Sequence, residues 1–226
     1  MSRVPVVTID GPSGSGKGTI SRAVAARVGW HLLDSGALYR LVALAGLERK
    51  LDPQDVEGHV AAACAMRVQF GTAAVAEQVW LDGCDVTGTL RSEVAAQGAS
   101  RVAAWPAVRE ALMSRQKAFA QAPGLVADGR DMGTVVFPGA ELKVFLTASA
   151  AERAARRYKQ LKDKDSGVSL AALSREIAER DFRDSTRAVA PLMPAPDAHV
   201  IDSTGLSIEE VVERVLALGR HHSLWS

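Results

Sequence analysis

The chain has little of several features that mark particular classes of protein. It has only two cysteines, Cys64 and Cys84, without CxxC spacing or a histidine cluster, which predicts two small, partly buried hydrophobic side chains rather than a disulfide or metal site. No apolar run approaches the roughly 20 residues that span a bilayer. The N-terminus does not have the form of a signal peptide, because an apolar strand is predicted from Val4. We therefore expect a cytoplasmic protein with no membrane partner.

Net charge is also nearly absent, since 27 lysines and arginines accompany 26 aspartates and glutamates, for a formal charge of +1. Any affinity for phosphate must then come from cations that are placed locally, and nothing in the composition predicts nucleic-acid binding. The length of 226 residues and the hydrophobic share of 47% suit one globular domain, 1–226, with room for a modest insertion.

Short apolar segments alternate with helical patterns, which is typical of an α/β protein with a parallel sheet covered by helices on both faces. The predicted strands are 4–9, 30–34, 125–127, 142–146 and 198–201. Sheets of this kind bind ligands at the carboxyl ends of their strands. Four aspartates follow predicted strand ends, and we expect them around one crevice: Asp10, Asp34, Asp128 and Asp202.

The middle of the chain has a different pattern. Residues 66–70, 78–81 and 85–90 are short strand-like runs with a hairpin signal at Asp82-Gly83, and they predict a small inserted antiparallel sheet. Helices are predicted over 19–28, 35–50, 106–121 and 169–184, and a further helix is predicted to start at Asp52-Pro53. Two more are predicted to start at capping boxes, Ser149–Glu152 and Ser207–Glu210.

A phosphate-loop pattern, G-x-x-x-x-G-K, lies between a predicted strand and a predicted helix. Its glycines let backbone N–H groups converge on phosphate oxygens, and the helix N-terminus adds partial positive charge. Lys17, which we expect on an exposed loop, can reach the outer phosphates. Gly18 follows it, whereas a GTPase or motor ATPase has Ser or Thr at that position. The predicted ATP-binding residues are Gly11, Pro12, Ser13, Gly14, Ser15, Gly16, Lys17, Gly18 and Thr19.

Arginine suits an enzyme that joins two polyanions, because its planar fork bonds phosphate at two points. Arg40 and Arg130 follow predicted strand ends, which favours a binding role. Two further groups recur at helical spacing, where a phosphate clamp and a solvated helix face both fit the pattern. These groups are Arg153, Arg156 and Arg157, then Arg180, Arg183 and Arg187.

Four motifs together resemble those of the bacterial cytidylate kinases, along nearly the whole chain. They are Gly11–Thr19, Leu33–Arg40, Gly129–Pro138, and Arg180–Arg187 followed by Ala190–Leu192. The resemblance implies the fold of P-loop nucleoside monophosphate kinases. In that fold a five-stranded parallel sheet is flanked by helices and carries a monophosphate-binding insert, here at roughly 39–100, and a short lid, here at 153–167. It also implies a monomer.

The same resemblance implies ATP-dependent phosphorylation of CMP, and of dCMP, by direct in-line transfer. The implied catalytic residues are Lys17, Arg130, Arg153 and Arg157. The implied CMP-binding residues are Ser35, Arg40, Ser100, Arg109, Arg130, Asp131, Arg180, Asp184 and Arg187. No general base is expected, because the second pKa of the acceptor phosphate is about 6.

The metal expected with ATP is Mg²⁺. Because no Ser or Thr follows Lys17 directly, we expect phosphates and waters to hold the ion. Asp34 or Asp128 would then lie near those waters, and no side chain is assigned as a direct ligand.

Several alternatives stay open. The chain could be a related small kinase for another monophosphate or metabolite, or a nucleotide-switched binding module such as a GTPase. The second is disfavoured because the guanine motif N-K-x-D needs asparagine, which the chain lacks. Asp131 either recognises the cytosine amino group or orients Arg130. Ser100 either binds CMP or lies on a helix surface.

Overall fold

The computed structural model of the protein describes residues 4–71, 78–162 and 169–225, without the side chains of residues 160 and 162. The chain forms two compact units, one comprising Met1–Asp34 and Lys117–Ser226 and the other Ser35–Gln116. The strands are β1 (Val6–Asp10), β2 (His31–Asp34), β3 (Val68–Phe70), β4 (Val79–Leu81), β5 (Cys84–Asp85), β6 (Leu125–Gly129), β7 (Leu142–Thr147) and β8 (His199–Asp202). The helices are α1 (Lys17–Val28), α2 (Ser35–Glu48), α3 (Val56–Ala65), α4 (Glu93–Val102), α5 (Pro106–Lys117), α6 (Ala150–Lys162), α7 (Leu170–Thr186) and α8 (Ile208–His221).

The first unit contains the predicted five-stranded parallel sheet, in the order β2-β6-β1-β7-β8. Every residue of β1 is buried, as expected for a central strand that is covered on both faces. The register aligns Asp34 with Asp128 and Asp10 with Gly129. Because all five strands run the same way, their carboxyl ends meet at one edge, and this edge carries the candidate site.

One hydrophobic core of this unit joins the sheet to α1 and α8. Ile20 and Val24 of α1 and Val215 of α8 are almost completely buried in it. The helix ends follow their sequence signals. Gly29 ends α1 in the left-handed conformation with φ of 69°, and the predicted capping box between Ser207 and Glu210 is present at α8.

The capping box predicted for α6 is only half formed. The Glu152 amide donates to the Ser149 hydroxyl at 3.2 Å, but the Ser149 amide donates to Thr204 at 2.9 Å instead of to Glu152. The Glu152 carboxylate accepts a hydrogen bond from Arg156 at 2.8 Å. The region 153–162 of the predicted lid belongs to α6, and the remainder, 163–167, lies outside the described residues.

The second unit contains α2 to α5 and the small antiparallel sheet β3-β4-β5. The hairpin at Asp82-Gly83 is confirmed, and both residues have positive φ, at 50° and 91°. The strand predicted over 85–90 is wrong beyond Asp85, because Thr89–Arg91 forms a 3₁₀ turn.

Two helix starts in the second unit differ from the sequence patterns. The helix predicted from Asp52-Pro53 begins at Val56, because Asp55 caps it by accepting from the Gly58 amide, while Asp52 closes a turn onto Gln54. Helix α4 was not predicted, although its Ser92 cap is a start signal.

Both cysteines belong to this unit and are exposed, so the expectation that they are partly buried is wrong. No helix among the described residues is long and apolar enough to cross a membrane.

Candidate active site

The phosphate loop connects β1 to α1, as its sequence predicts. A Cβ on Gly11 would collide with the carbonyl oxygen of Leu146, so only glycine fits where the loop leaves the sheet. Gly16 has φ of 92°, and it directs the chain into α1 at Lys17. The loop therefore precedes a helix N-terminus whose free amides can bind phosphate.

Lys17 is buried, with 8% of its surface exposed, so the expectation of an exposed side chain is wrong. Its ammonium donates to the Pro12 carbonyl at 3.2 Å. Burial is the largest cause that lowers the pKa of Lys17, and Arg130 adds to it, while Asp128 opposes the shift. Lys17 thus lies among cations and carboxylates that come from separate strand ends.

Three of the four strand-end aspartates interact electrostatically with Lys17: Asp10, Asp34 and Asp128. Burial is the main cause that raises the pKa of Asp128, and Lys17 opposes it. The Oδ1 atom of Asp128 is buried without a hydrogen-bond partner among the described residues. Asp202 does not join this group, because its carboxylate accepts from the Thr204 amide and hydroxyl at 2.9 and 2.7 Å.

A cluster of guanidinium and carboxylate groups lies beyond β6. The Arg130 Nε atom donates to Asp184 at 2.9 Å, and Arg187 pairs with Asp131 at 3.7 Å. Burial would raise the pKa of Asp184, but Arg130, Arg180 and Arg187 together hold it below its usual value. The five residues predicted for CMP binding in the first unit are therefore brought together by the fold.

Two arginines of α6 hold the backbone of the phosphate loop. Arg153 is buried, donates to the Ser13 carbonyl at 3.0 Å and pairs with Asp181 at 2.6 Å. Arg156 donates to the Ser15 carbonyl at 3.2 Å and to the Ser203 carbonyl at 2.7 Å. This face of α6 is therefore not simply solvated. Arg157 is half-buried and keeps its predicted role as a proposal.

The other predicted CMP-binding residues belong to the second unit. Arg40 donates to the Leu90 carbonyl at 3.0 Å. Arg109 is buried, donates to the Ala103 carbonyl at 3.3 Å and lies 5.7 Å from the centre of the Tyr39 ring. Ser35 and Ser100 are both buried. Ser100 is thus not a surface serine, and its hydroxyl has no hydrogen-bond partner among the described residues.

The comparison with known families identifies the chain. The sequence model described as "Cytidylate kinase" matches residues 7–221. The chain belongs to the cytidylate kinase family. It is 58% identical to the cytidylate kinase of Aeromonas hydrophila over 94% of this chain and 93% of the relative. The cytidylate kinase of Stutzerimonas stutzeri is 59% identical, over 95% and 94% of the two chains. That of Klebsiella pneumoniae is 54% identical, over 97% and 96%.

In this member of the cytidylate kinase family, the structure explains why glycine follows Lys17. A Cβ on Gly18 would lie 3.1 Å from the Asp128 Oδ2 atom, which is closer than nearly all real contacts of that kind. A Ser or Thr side chain at this position would therefore have to shift the buried carboxylate by a few tenths of an ångström. The close approach of the aspartate at the end of β6 is a physical reason for the smallest residue at this position.

We expect Gly18→Ala to separate stability from activity. Alanine favours helix over glycine by up to about 1 kcal/mol, which offsets part of the cost of moving the Asp128 carboxylate, so the melting temperature should change little. Its Cβ should displace Asp128 and lower kcat several-fold. Thermal melts and steady-state rates check both results. A variant with normal kcat would show that the position of Asp128 is unimportant for turnover.

Two residues of the candidate site were not predicted from the sequence of this cytidylate kinase family member. Arg156 was predicted only as part of a helix pattern, and Ser203 is not among the predicted site residues. Ser203 is 2% exposed, and its hydroxyl accepts from Arg156 at 3.0 Å and lies 2.9 Å from the Thr147 carbonyl. The signal that could have revealed them is the position of the turn directly after β8, at the ligand-binding edge of the sheet.

Proposed function

We propose that the protein transfers the γ-phosphoryl group of ATP to CMP, and to dCMP, giving ADP and the corresponding diphosphate. One observation carries this proposal. Arg130 and Arg180 of the guanidinium cluster lie close enough to the buried Lys17, at the end of the phosphate loop, to help burial lower the pKa of its ammonium. A donor-phosphate site and a second cluster of phosphate-binding side chains therefore adjoin, as a reaction between two nucleotides requires.

The chemistry requires alignment and charge neutralisation rather than a base. The acceptor phosphate is mostly deprotonated at neutral pH, because its second pKa is about 6. The transition state of phosphoryl transfer is loose and in-line, so fixed positive charge on its oxygens lowers the barrier. We assign Lys17 and Arg157 to the transferring group and Arg130 to the acceptor phosphate. The contacts of Arg153 support a role in positioning the loop.

The residues at the carboxyl edge of the sheet fit Mg²⁺. Carboxylate and water oxygens are its preferred ligands, and Asp128 presents a buried oxygen without a protein partner among the described residues. The described residues include no group of three or more His, Cys, Asp or Glu arranged to hold a metal ion, so phosphates and waters would supply the remaining ligands. We propose that Asp128, with Asp34, holds Mg²⁺ through water. When bound, the ion neutralises part of the phosphate charge.

The residues proposed to bind CMP are those that the sequence predicted. In the first unit Arg130, Asp131, Arg180, Asp184 and Arg187 would bind CMP, and in the second Ser35, Arg40, Ser100 and Arg109 would do so. The insert at roughly 39–100 and the lid at 153–167 remain part of the proposal. We further propose that the enzyme acts as a monomer in the cytoplasm.

A coupled ADP-release assay against every ribo- and deoxyribonucleoside monophosphate tests the function. We expect the highest kcat/KM with CMP and dCMP, and slow ADP release when no acceptor is added. Preference for another monophosphate would contradict the substrate assignment. ADP release that is independent of any acceptor would indicate a nucleotide switch instead.

A further inference from the structure

The turn that follows Arg130 and Asp131 is held in place by a side chain from β1. Residues Met132–Val136 form one π-helical turn, which Asp131 precedes without capping it through its side chain. Amides at the start of such a turn have no partner within it. In this protein the first two donate to Asp10, Met132 to Oδ1 at 2.9 Å and Gly133 to Oδ2 at 2.8 Å. Both oxygens of one carboxylate are therefore used to fix the turn.

Asp10 is well placed to hold this turn rigidly. It is the last residue of β1, is 5% exposed, and pairs in register with Gly129 of β6 and Phe145 of β7. The turn also packs closely on this strand, because a Cβ on Gly133 would lie only 2.8 Å from the Thr8 hydroxyl. The central strand therefore fixes the position of the backbone that carries Arg130 and Asp131.

The charged groups that act on Asp10 come from three segments of the chain. Asp131, directly before the turn, and Asp128 in β6 are like charges, while Lys17 in α1 is the opposite charge. Burial is the largest cause that raises the pKa of Asp10 to about 6, and the two amide hydrogen bonds oppose it. The carboxylate is therefore ionised at neutral pH but takes up a proton in mild acid.

We propose that Asp10 is a positioning residue for the acceptor nucleotide, whose carboxylate fixes Arg130 and Asp131 by holding the Met132 and Gly133 amides. This inference rests on the proposed function only in naming the nucleotide that is affected. A carboxylate is required because it offers two acceptor oxygens, whereas an amide offers one oxygen and directs its own N–H groups at the second backbone donor. The role proposed for Asp10 acts through the backbone of the turn and not through contact with the reacting atoms.

The first test is Asp10→Asn, with KM and kcat measured for each substrate. We expect KM for CMP to rise about tenfold, the loss typical of one hydrogen bond to a charged group, with a smaller change in KM for ATP. The matched control is Glu141→Gln at the other end of β1, where the carboxylate accepts from the Val6 amide at 2.8 Å. The control should keep the wild-type KM values. An unchanged KM for CMP in Asp10→Asn, or equal losses for both substrates, would overturn the proposal.

The second test needs no variant, so it also decides the matter if Asp10→Asn fails to fold. In the nucleotide-free protein, the amide NMR signals of Met132 and Gly133 should shift together in a single titration whose midpoint is raised above the ordinary aspartate value, because burial raises the pKa of Asp10. Amide signals that show no common titration would overturn the proposal. The result does not depend on which monophosphate is phosphorylated, so it separates failure of this inference from failure of the proposed function.

Discussion

Replacing Lys17 with methionine should lower kcat by about 10²–10³-fold, the loss seen when one preorganised charge at a transition state is removed. The protein should stay folded, because methionine has similar length and fills the buried space. The ammonium that is lost donates one hydrogen bond, to the Pro12 carbonyl at 3.2 Å. Steady-state kinetics and circular dichroism measure the two results.

The chain offers a matched control in Lys143, a second buried lysine, which pairs with Asp197 at 2.9 Å. Lys143 is not among the proposed catalytic or binding residues, but its side chain packs near Gly133, so Lys143→Met should lower kcat far less than Lys17→Met does. Near-normal turnover in the folded Lys17 variant would refute the phosphate-loop assignment. Equal losses in the two variants would mean that burial of charge, rather than catalysis, explains the effect.

Asp131→Asn should narrow the preference for CMP over UMP in kcat/KM by more than about tenfold. Cytosine presents an amino donor where uracil presents an acceptor, so a carboxylate attracts the first and repels the second. Leaving such a charged group unpaired costs roughly 1–3 kcal/mol, and asparagine can either donate or accept. The ratio of kcat/KM for the two substrates is the quantity to measure.

The contacts of Asp131 sharpen this experiment. Arg130 bonds Asp184 at 2.9 Å and Asp131 pairs with Arg187 at 3.7 Å, so Arg187 joins Arg130 as an arginine that Asp131 could orient in place of reading the base. If Asp131 only orients Arg187, Asp131→Asn should lower kcat/KM for CMP and UMP by the same factor. Asp184→Asn is the comparison variant, and we expect equal losses from it, since its partner Arg130 is assigned to the phosphate. Equal losses from both variants would remove Asp131 from the specificity site.

Local sequence signals predicted the elements that depend on neighbouring residues. The phosphate loop, the end of α1 at Gly29 and the capping box at Ser207 each follow from a few adjacent residues, and each is present. The small turn at Asp52 shows the limit of such signals, because an aspartate can either cap a helix or close a turn. Here Asp52 closes the turn, and Asp55 caps the helix.

The long-range contacts of the site could not be predicted in this way. Asp10 meets a turn more than a hundred residues later, and Arg156 meets the Ser15 carbonyl and Ser203. Their partners come from segments that are adjacent only once the sheet has formed. The burial of Lys17 was missed for the same reason, since the charged groups that act on it come from other strand ends and from α7.

The buried carboxylate of Asp10 also has a thermodynamic cost. Its pKa rises from 3.8 to about 6 on folding, so the folded state binds the proton more tightly than the unfolded chain does. The free energy of unfolding then decreases as pH rises through this interval, by about 3 kcal/mol for a shift of this size. A domain of ordinary stability has only about 5–15 kcal/mol in total. The protein therefore gives up a measurable part of its resistance to unfolding at neutral pH by keeping one ionised carboxylate buried at the carboxyl end of its central strand.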